Sequence, residues 1–150
     1  YQHKIIGGNF RIDALHAAIL NIKLPHLPEW NEARRRNAEL YKQKLVDLPI
    51  TLPVELDGYT HVYHQYTIRV DPAKRDGLTA AFKENGIGFG VFYPTSLHQQ
   101  ECFKYLNQDQ GRLPHSEAAS KGCVSLPVHP LLTEAQIDEV CAVIKGYLQS

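Results

Sequence analysis

Residues 5–15, Ile-Ile-Gly-Gly-Asn-Phe-Arg-Ile-Asp-Ala-Leu, set a glycine pair and polar side chains between an apolar segment and a helix start. That order suits anion binding, because backbone N–H groups and a helix N-terminus attract negative charge. No Walker lysine follows, and the glycines are not spaced G-x-G-x-x-G. The stretch is therefore no ordinary nucleotide loop, and these residues alone leave open what the turn serves.

His98 stands in a second candidate segment, residues 92–103, "FYPTSLHQQECF", with Tyr93 and a proline turn at a strand end. Such a loop either lines a pocket or is ordinary surface; the residues alone leave both open. His98 and Cys102 at i, i+4 could share a metal on a helix, but no complementary ligand pair accompanies them, and no metal is expected. His61 and His64 are expected on opposite faces of an extended strand, one solvated and one hydrogen-bonded. His115 and His129 carry no interpretable pattern. Ser96 and Ser125 have no identifiable base and no G-x-S-x-G context. Glu134 and Asp138 read as solvated helix charges.

These groups need elements to hold them. Asp13 is a helix N-cap, with Leu15, Ala18, Ile19 and Ile22 on one face and Pro25 as the stop. Pro28 opens a second helix whose apolar side is Trp30, Ala33, Leu40, Tyr41, Leu45 and Leu48. The run Arg34–Arg36 is expected to be a solvated face. Residues 49–59 read as loop or edge, and Val62–Val70 as a strand. Asp71-Pro72 starts a helix that Gly86 ends in a left-handed cap, with Leu78, Ala81 and Phe82 inward. Ile87–Tyr93 is expected as a second strand, and residues 99–106 as a short helix. Ser116 is expected to cap another helix over 117–121, and Val124–Leu126 to be a third strand. Thr133-Glu134-Ala135-Gln136 is a capping box before a stripe of Ile137, Val140, Cys141, Ile144 and Leu148.

The order predicts an α+β fold: a short, mainly antiparallel sheet with helices on one face, preceded by two connecting helices. Sixteen basic and sixteen acidic residues in 150 leave the net charge at zero, so neither nucleic acid nor an anionic membrane is an expected partner. No membrane-length apolar run or signal-peptide pattern occurs. Three cysteines without CxxC spacing read as reduced thiols in a cytoplasmic protein. A chain with no methionine that opens on Tyr1 is expected to be a piece of a longer one.

Four strings occur in order: "GGNFRIDALHAAIL", "RDGLTAAFKENGIG", "YPTSLHQQECF" and "LPHSEAASKGCVSLPVHPLLTEAQIDEV". Together they resemble the C-terminal part of the DegT/DnrJ/EryC1/StrS sugar aminotransferases, and the match covers nearly the whole chain. The resemblance implies the small C-terminal domain of a fold-type-I enzyme using pyridoxal 5'-phosphate (PLP). It divides the chain into 1–12, the end of the cofactor domain; 13–48, connecting helices; and 49–150, the small domain. The implied reaction moves an amino group, from a donor such as glutamate, to a nucleotide-linked keto-sugar. "GGNFR", "YP…LHQQECF" and "LP…SE" look most like members aminating UDP-linked 3-keto sugars.

In the family, Asn9 would reach across a homodimer to the cofactor phosphate of the partner subunit, and Arg11 would lie near its nucleotide-sugar site. Tyr93 and His98 match the tyrosine and histidine of a loop that approaches the substrate. Two positions depart: His16, where glutamine is common, and Ser96, where proline often precedes the leucine. None of Lys4, Lys23, Lys42 or Lys44 matches the Schiff-base lysine, which the resemblance places upstream of Tyr1. No catalytic residue is therefore expected here, and the segment alone is expected to be inactive. Its bared helices are expected to drive self-association. The alternative is a non-catalytic domain that binds a sugar nucleotide or serves assembly.

Overall fold

The computed structural model describes residues 1–107 and 111–149. Its centre is the antiparallel pair β1 (Tyr66–Arg69) and β2 (Cys123–Leu126), in the register Tyr66 opposite Leu126 and Ile68 opposite Val124. Period-two alternation sends these four side chains to one face. Thr67 and Ser125 meet on the other, their hydroxyls 2.7 Å apart.

Single antiparallel bridges extend the pair at both edges, Thr51 to Arg69 and Gly90 to Ser125. The α+β expectation, with a short antiparallel sheet, is met. The strand expected over Ile87–Tyr93 contracts to the Gly90 bridge, because Gly86, Gly88 and Gly90 offer no side chains to pack and raise the entropic cost of extension. β1 is also shorter than expected at its start, since Tyr63 sits at φ 48°, outside extended backbone. His61 and His64 thus precede the strand instead of alternating across it; both are exposed, and the Tyr63 N–H donates to His61 Nδ1 at 2.8 Å.

Helix α1 (Ala14–Lys23) begins at the predicted cap: Asp13 accepts the His16 N–H at 2.9 Å. It buries nothing, and Leu15, Ile19 and Ile22 face out. A 3₁₀ turn over Leu24–His26, containing Pro25, leads into α2 (Leu27–Leu45), with Pro28 in its first turn. Helix α2 buries Ala33, Ala38, Tyr41 and Leu45. Arg34 departs from the expected solvated run. Its guanidinium donates to the Val128 carbonyl at 2.8 Å and to those of Tyr63 and His64 at 3.4 Å, tying α2 to two loops.

Helix α3 (Pro72–Glu84) has Asp71 as its cap and Gly86, at φ 67°, beyond its end. Helix α4 (Pro114–Gly122) starts earlier than expected: Pro114 takes the first turn, and Ser116 lies inside instead of capping. Helix α5 (Glu134–Gln149) has the reciprocal box, with Thr133 N–H on Gln136 Oε1 at 3.0 Å and Gln136 N–H on Thr133 Oγ1 at 3.3 Å. Its predicted stripe is buried throughout, Cys141 included.

The core joins Tyr66, Ile68, Val124 and Leu126 to α2, α3 and α5, so these three helices cover one sheet face. At the edge, a Cβ on Gly122 would lie 2.4 Å from the Val70 carbonyl oxygen. Gly122→Ala is therefore expected to cost about 1–3 kcal/mol through forced backbone displacement, read as a lower urea midpoint at unchanged slope. Helix α1 stands apart from this core, which bears on how the leading residues are held.

Candidate functional site

The sheet face opposite the helices carries Thr67, Arg69, Cys123 and Ser125. A cleft of about 610 Å³ opens there, with Thr51, Thr67, Thr95, Ser96, Ser116 and Ser120 in its wall and Arg69 and Tyr93 beside them. Arg69 is the one cation among its described lining residues, and no lysine reaches it. Tyr93 is 56 % exposed and also borders a smaller depression of about 320 Å³ with Tyr1 and His3.

The segment after Tyr93 is built on buried polar groups. Ser96, His98 and Gln100 all turn inward, at alternate positions, through a 3₁₀ turn over Leu97–Gln99. A second 3₁₀ run, Glu101–Leu106, follows. The helix expected over 99–106 is thus two tight turns, and His98 and Cys102 fall in different ones, without the helical i, i+4 relation. Among the described residues no cluster of three or more His, Cys, Asp or Glu is gathered for a metal, and all three cysteines are free thiols.

His98 does not open into the cleft. Its Nε2 lies 3.0 Å from Glu117 Oε1, and both residues are buried. Glu117 also accepts the Gly111 N–H on both oxygens at 2.8 Å and the Leu113 N–H at 3.3 Å. From the first turn of α4 it reaches back over the helix start, satisfying backbone donors the helix cannot. Sequence reasoning passed over Glu117. The signal was Pro114 in a first helical turn followed by an acid, which reads as a capped N-terminus once the helix is started at Pro114.

The Gly111 N–H, opposed by burial and aided by His98 and the Leu113 N–H, holds the Glu117 carboxyl below the ordinary 4.5. A depressed carboxyl contributes stability above the unfolded-state value and loses it as pH falls through the folded one. The stability gap between wild type and Glu117→Gln is therefore expected to be full at pH 7 and to shrink below about pH 4.5. Urea midpoints at pH 7, 5 and 3 check this; an unchanged gap at pH 3 would contradict it.

Asn9 and Arg11 occupy the exposed, irregular stretch before α1 and line none of the described clefts. Asn9 makes no side-chain hydrogen bond among the described residues, so its amide can donate to an incoming group. Residues 1–3 bring this stretch to the Tyr93 loop: the Tyr1 ring meets Tyr93 edge-on at 5.2 Å, and Gln100 bonds the Tyr1 and His3 backbone. The arrangement can bind and orient a polar ligand. Among the described residues it presents no nucleophile paired with a base.

The chain is 47 % identical over 140 residues to the "Pleiotropic regulatory protein" of Geobacillus stearothermophilus, covering 91 % of this chain and 37 % of that protein. It is 39 % identical over 148 residues to a UDP-N-acetyl-3-dehydro-alpha-D-glucosamine 3-aminotransferase of Acidithiobacillus ferrooxidans, covering 99 % and 39 %. The crystal structure of S. venezuelae DesV superposes with a TM-score of 0.88 at 32 % identity, over 100 % of this chain and 40 % of that one. A Streptococcus pneumoniae structure of the same fold, 20 % identical, has been solved in its PLP form. The chain thus spans about two fifths of the length of the relatives it matches. A family model matches residues 1–145, nearly the whole length described above. The chain belongs to the DegT/DnrJ/EryC1/StrS aminotransferase family.

Proposed function

We propose that the chain is the C-terminal segment of a PLP-dependent aminotransferase that moves an amino group, from glutamate, to a UDP-linked 3-keto sugar. In this reading residues 1–12 close the cofactor domain, 13–48 connect, and 49–150 form the small domain. The whole protein works as a cytoplasmic homodimer, and no helix of the described residues is long and apolar enough to cross a membrane. The observation that supports the reading is that Gln100, in the loop that carries Tyr93, bonds the backbone of Tyr1 and His3, at the head of the stretch that leads to Asn9 and Arg11.

The donor set fits the phosphate end of PLP. Asn9 offers a neutral amide donor on an exposed turn with open space at Gly7. Bound PLP supplies the electron-withdrawing ring that allows an amino group to leave one carbon and join another. Arg11 would meet the diphosphate or a carboxylate of the nucleotide sugar. Tyr93 and the hydroxyl wall would orient the sugar, and the buried His98–Glu117 pair would hold the loop that carries Tyr93. The Schiff-base lysine belongs, in this reading, to the part of the family fold that this chain does not span.

The test is the whole protein incubated with PLP, glutamate and a UDP-3-keto sugar, with 2-oxoglutarate and amino sugar measured. Equal release of both supports the reading. The name of the Geobacillus relative favours a second reading, a non-catalytic domain of regulatory use. Saturable binding of the sugar nucleotide without 2-oxoglutarate would favour that one.

A further inference from the structure

Gln100 is 4 % exposed, and its amide is hydrogen-bonded at both ends. Its Oε1 accepts the His3 N–H at 2.9 Å, and its Nε2 donates to the Tyr1 carbonyl at 3.1 Å. The Cys102 N–H then donates to the His3 carbonyl at 3.1 Å. Three hydrogen bonds thus seize residues 1–3 much as a neighbouring strand would, across a sequence separation of 97 to 99 residues.

At the far end of the same stretch Asp13 caps α1, a helix that buries nothing against the core. Residues 4–12, with Asn9 and Arg11, are strung between the Gln100 clasp and that cap. On its other side the loop is pinned to α4, through His98 on Glu117 and the Ser116 hydroxyl on Ser96 at 3.3 Å. Gln100 is the member of this loop that bonds the leading backbone through its side chain.

We propose that Gln100 is a positioning residue that locks the Asn9–Arg11 turn to the Tyr93 loop, so that cofactor-side and sugar-side contacts are set together. This rests on the aminotransferase reading above. A loop displaced on sugar binding would pull on residues 1–3 through the clasp, and a turn ordered by phosphate would steady the loop. The linkage is reciprocal, as any coupling of two binding equilibria must be.

The experiment uses the whole protein and Gln100→Met, which keeps the volume and removes both hydrogen bonds. Gln99→Met is the control, a half-buried neighbour outside the clasp. Dissociation constants for PLP come from absorbance titration, and KM and kcat from the amination assay. Losing two hydrogen bonds is expected to raise the PLP dissociation constant and the sugar KM together, each roughly tenfold, with kcat within about twofold. Gln99→Met should move neither. A rise in only one constant, or in neither, overturns the proposal.

If Gln100→Met does not fold, Gln100→Glu keeps the acceptor for His3 and loses the donor to Tyr1; both constants should then rise by a smaller factor. Hydrogen exchange separates the clasp from the functional reading. In Gln100→Met the His3 and Cys102 amides should exchange faster, and in Gln100→Glu the Cys102 amide should, whether or not the wild type binds PLP. Unchanged exchange there overturns the clasp itself, whereas absent PLP binding by the wild type overturns only the aminotransferase reading.

Discussion

Phe82→Ala is expected to lower stability by about 3–5 kcal/mol. Phe82 is fully buried on α3, in the core that joins β1, β2, α2 and α5, with the Phe89 ring 5.9 Å away. Removing it takes away a ring's worth of burial and leaves a cavity that close-packed neighbours fill only in part. Against a usual domain stability of about 5–15 kcal/mol, that is a large share. Urea unfolding checks it by midpoint, with Leu131→Ala as the contrast. Leu131 is 80 % exposed and should shift stability by less than about 0.5 kcal/mol.

The second large effect is functional. In the whole protein, Asn9→Ala is expected to raise the PLP dissociation constant roughly ten- to a hundredfold, the range for losing one hydrogen bond to a charged group. Folding should be untouched, because Asn9 is exposed and bonded to nothing among the described residues. Absorbance titration reads the affinity and circular dichroism the fold. Asn9→Ser, which keeps a donor on a shorter arm, should recover part of the loss.

What the sequence made legible follows from how local each signal was. The two ends of α3 and the capping box of α5 are set by residues within four positions of one another, and both were read correctly. The stripe of α5 is periodic and needed no tertiary knowledge. Ile87–Tyr93 misled because its apolar residues alternate with glycines; whether such a segment pairs depends on a partner, and β2 gives it one bridge. Tyr63 in left-handed backbone shortened β1 without any turn residue to announce it.

The site was harder. Tyr93 and Asn9 came from resemblance, and their exposure suits ligand contact. His98 was read as facing the substrate, whereas its ring is buried against Glu117. Nothing in the composition of "SLHQQE" tells which of its polar side chains turn inward. Ser96, His98 and Gln100 do so because their partners lie on α4 and at residues 1–3, far away in sequence. Arg34 was hidden for the same reason, as its carbonyl partners belong to distant loops.

In the proposed function Asn9 completes the cofactor site of the partner subunit. Mixed dimers test it most directly. One subunit carries Asn9→Ala, and the other lacks the Schiff-base lysine. If Asn9 serves the partner's cofactor, the mixed dimer assembles one complete site, and wild-type PLP affinity returns at that site with amination activity. If Asn9 serves its own subunit, no complete site forms, and PLP affinity stays as weak as in the Asn9→Ala homodimer. Restored affinity and activity are expected; affinity as weak as in the Asn9→Ala homodimer would show that Asn9 does not serve the partner subunit.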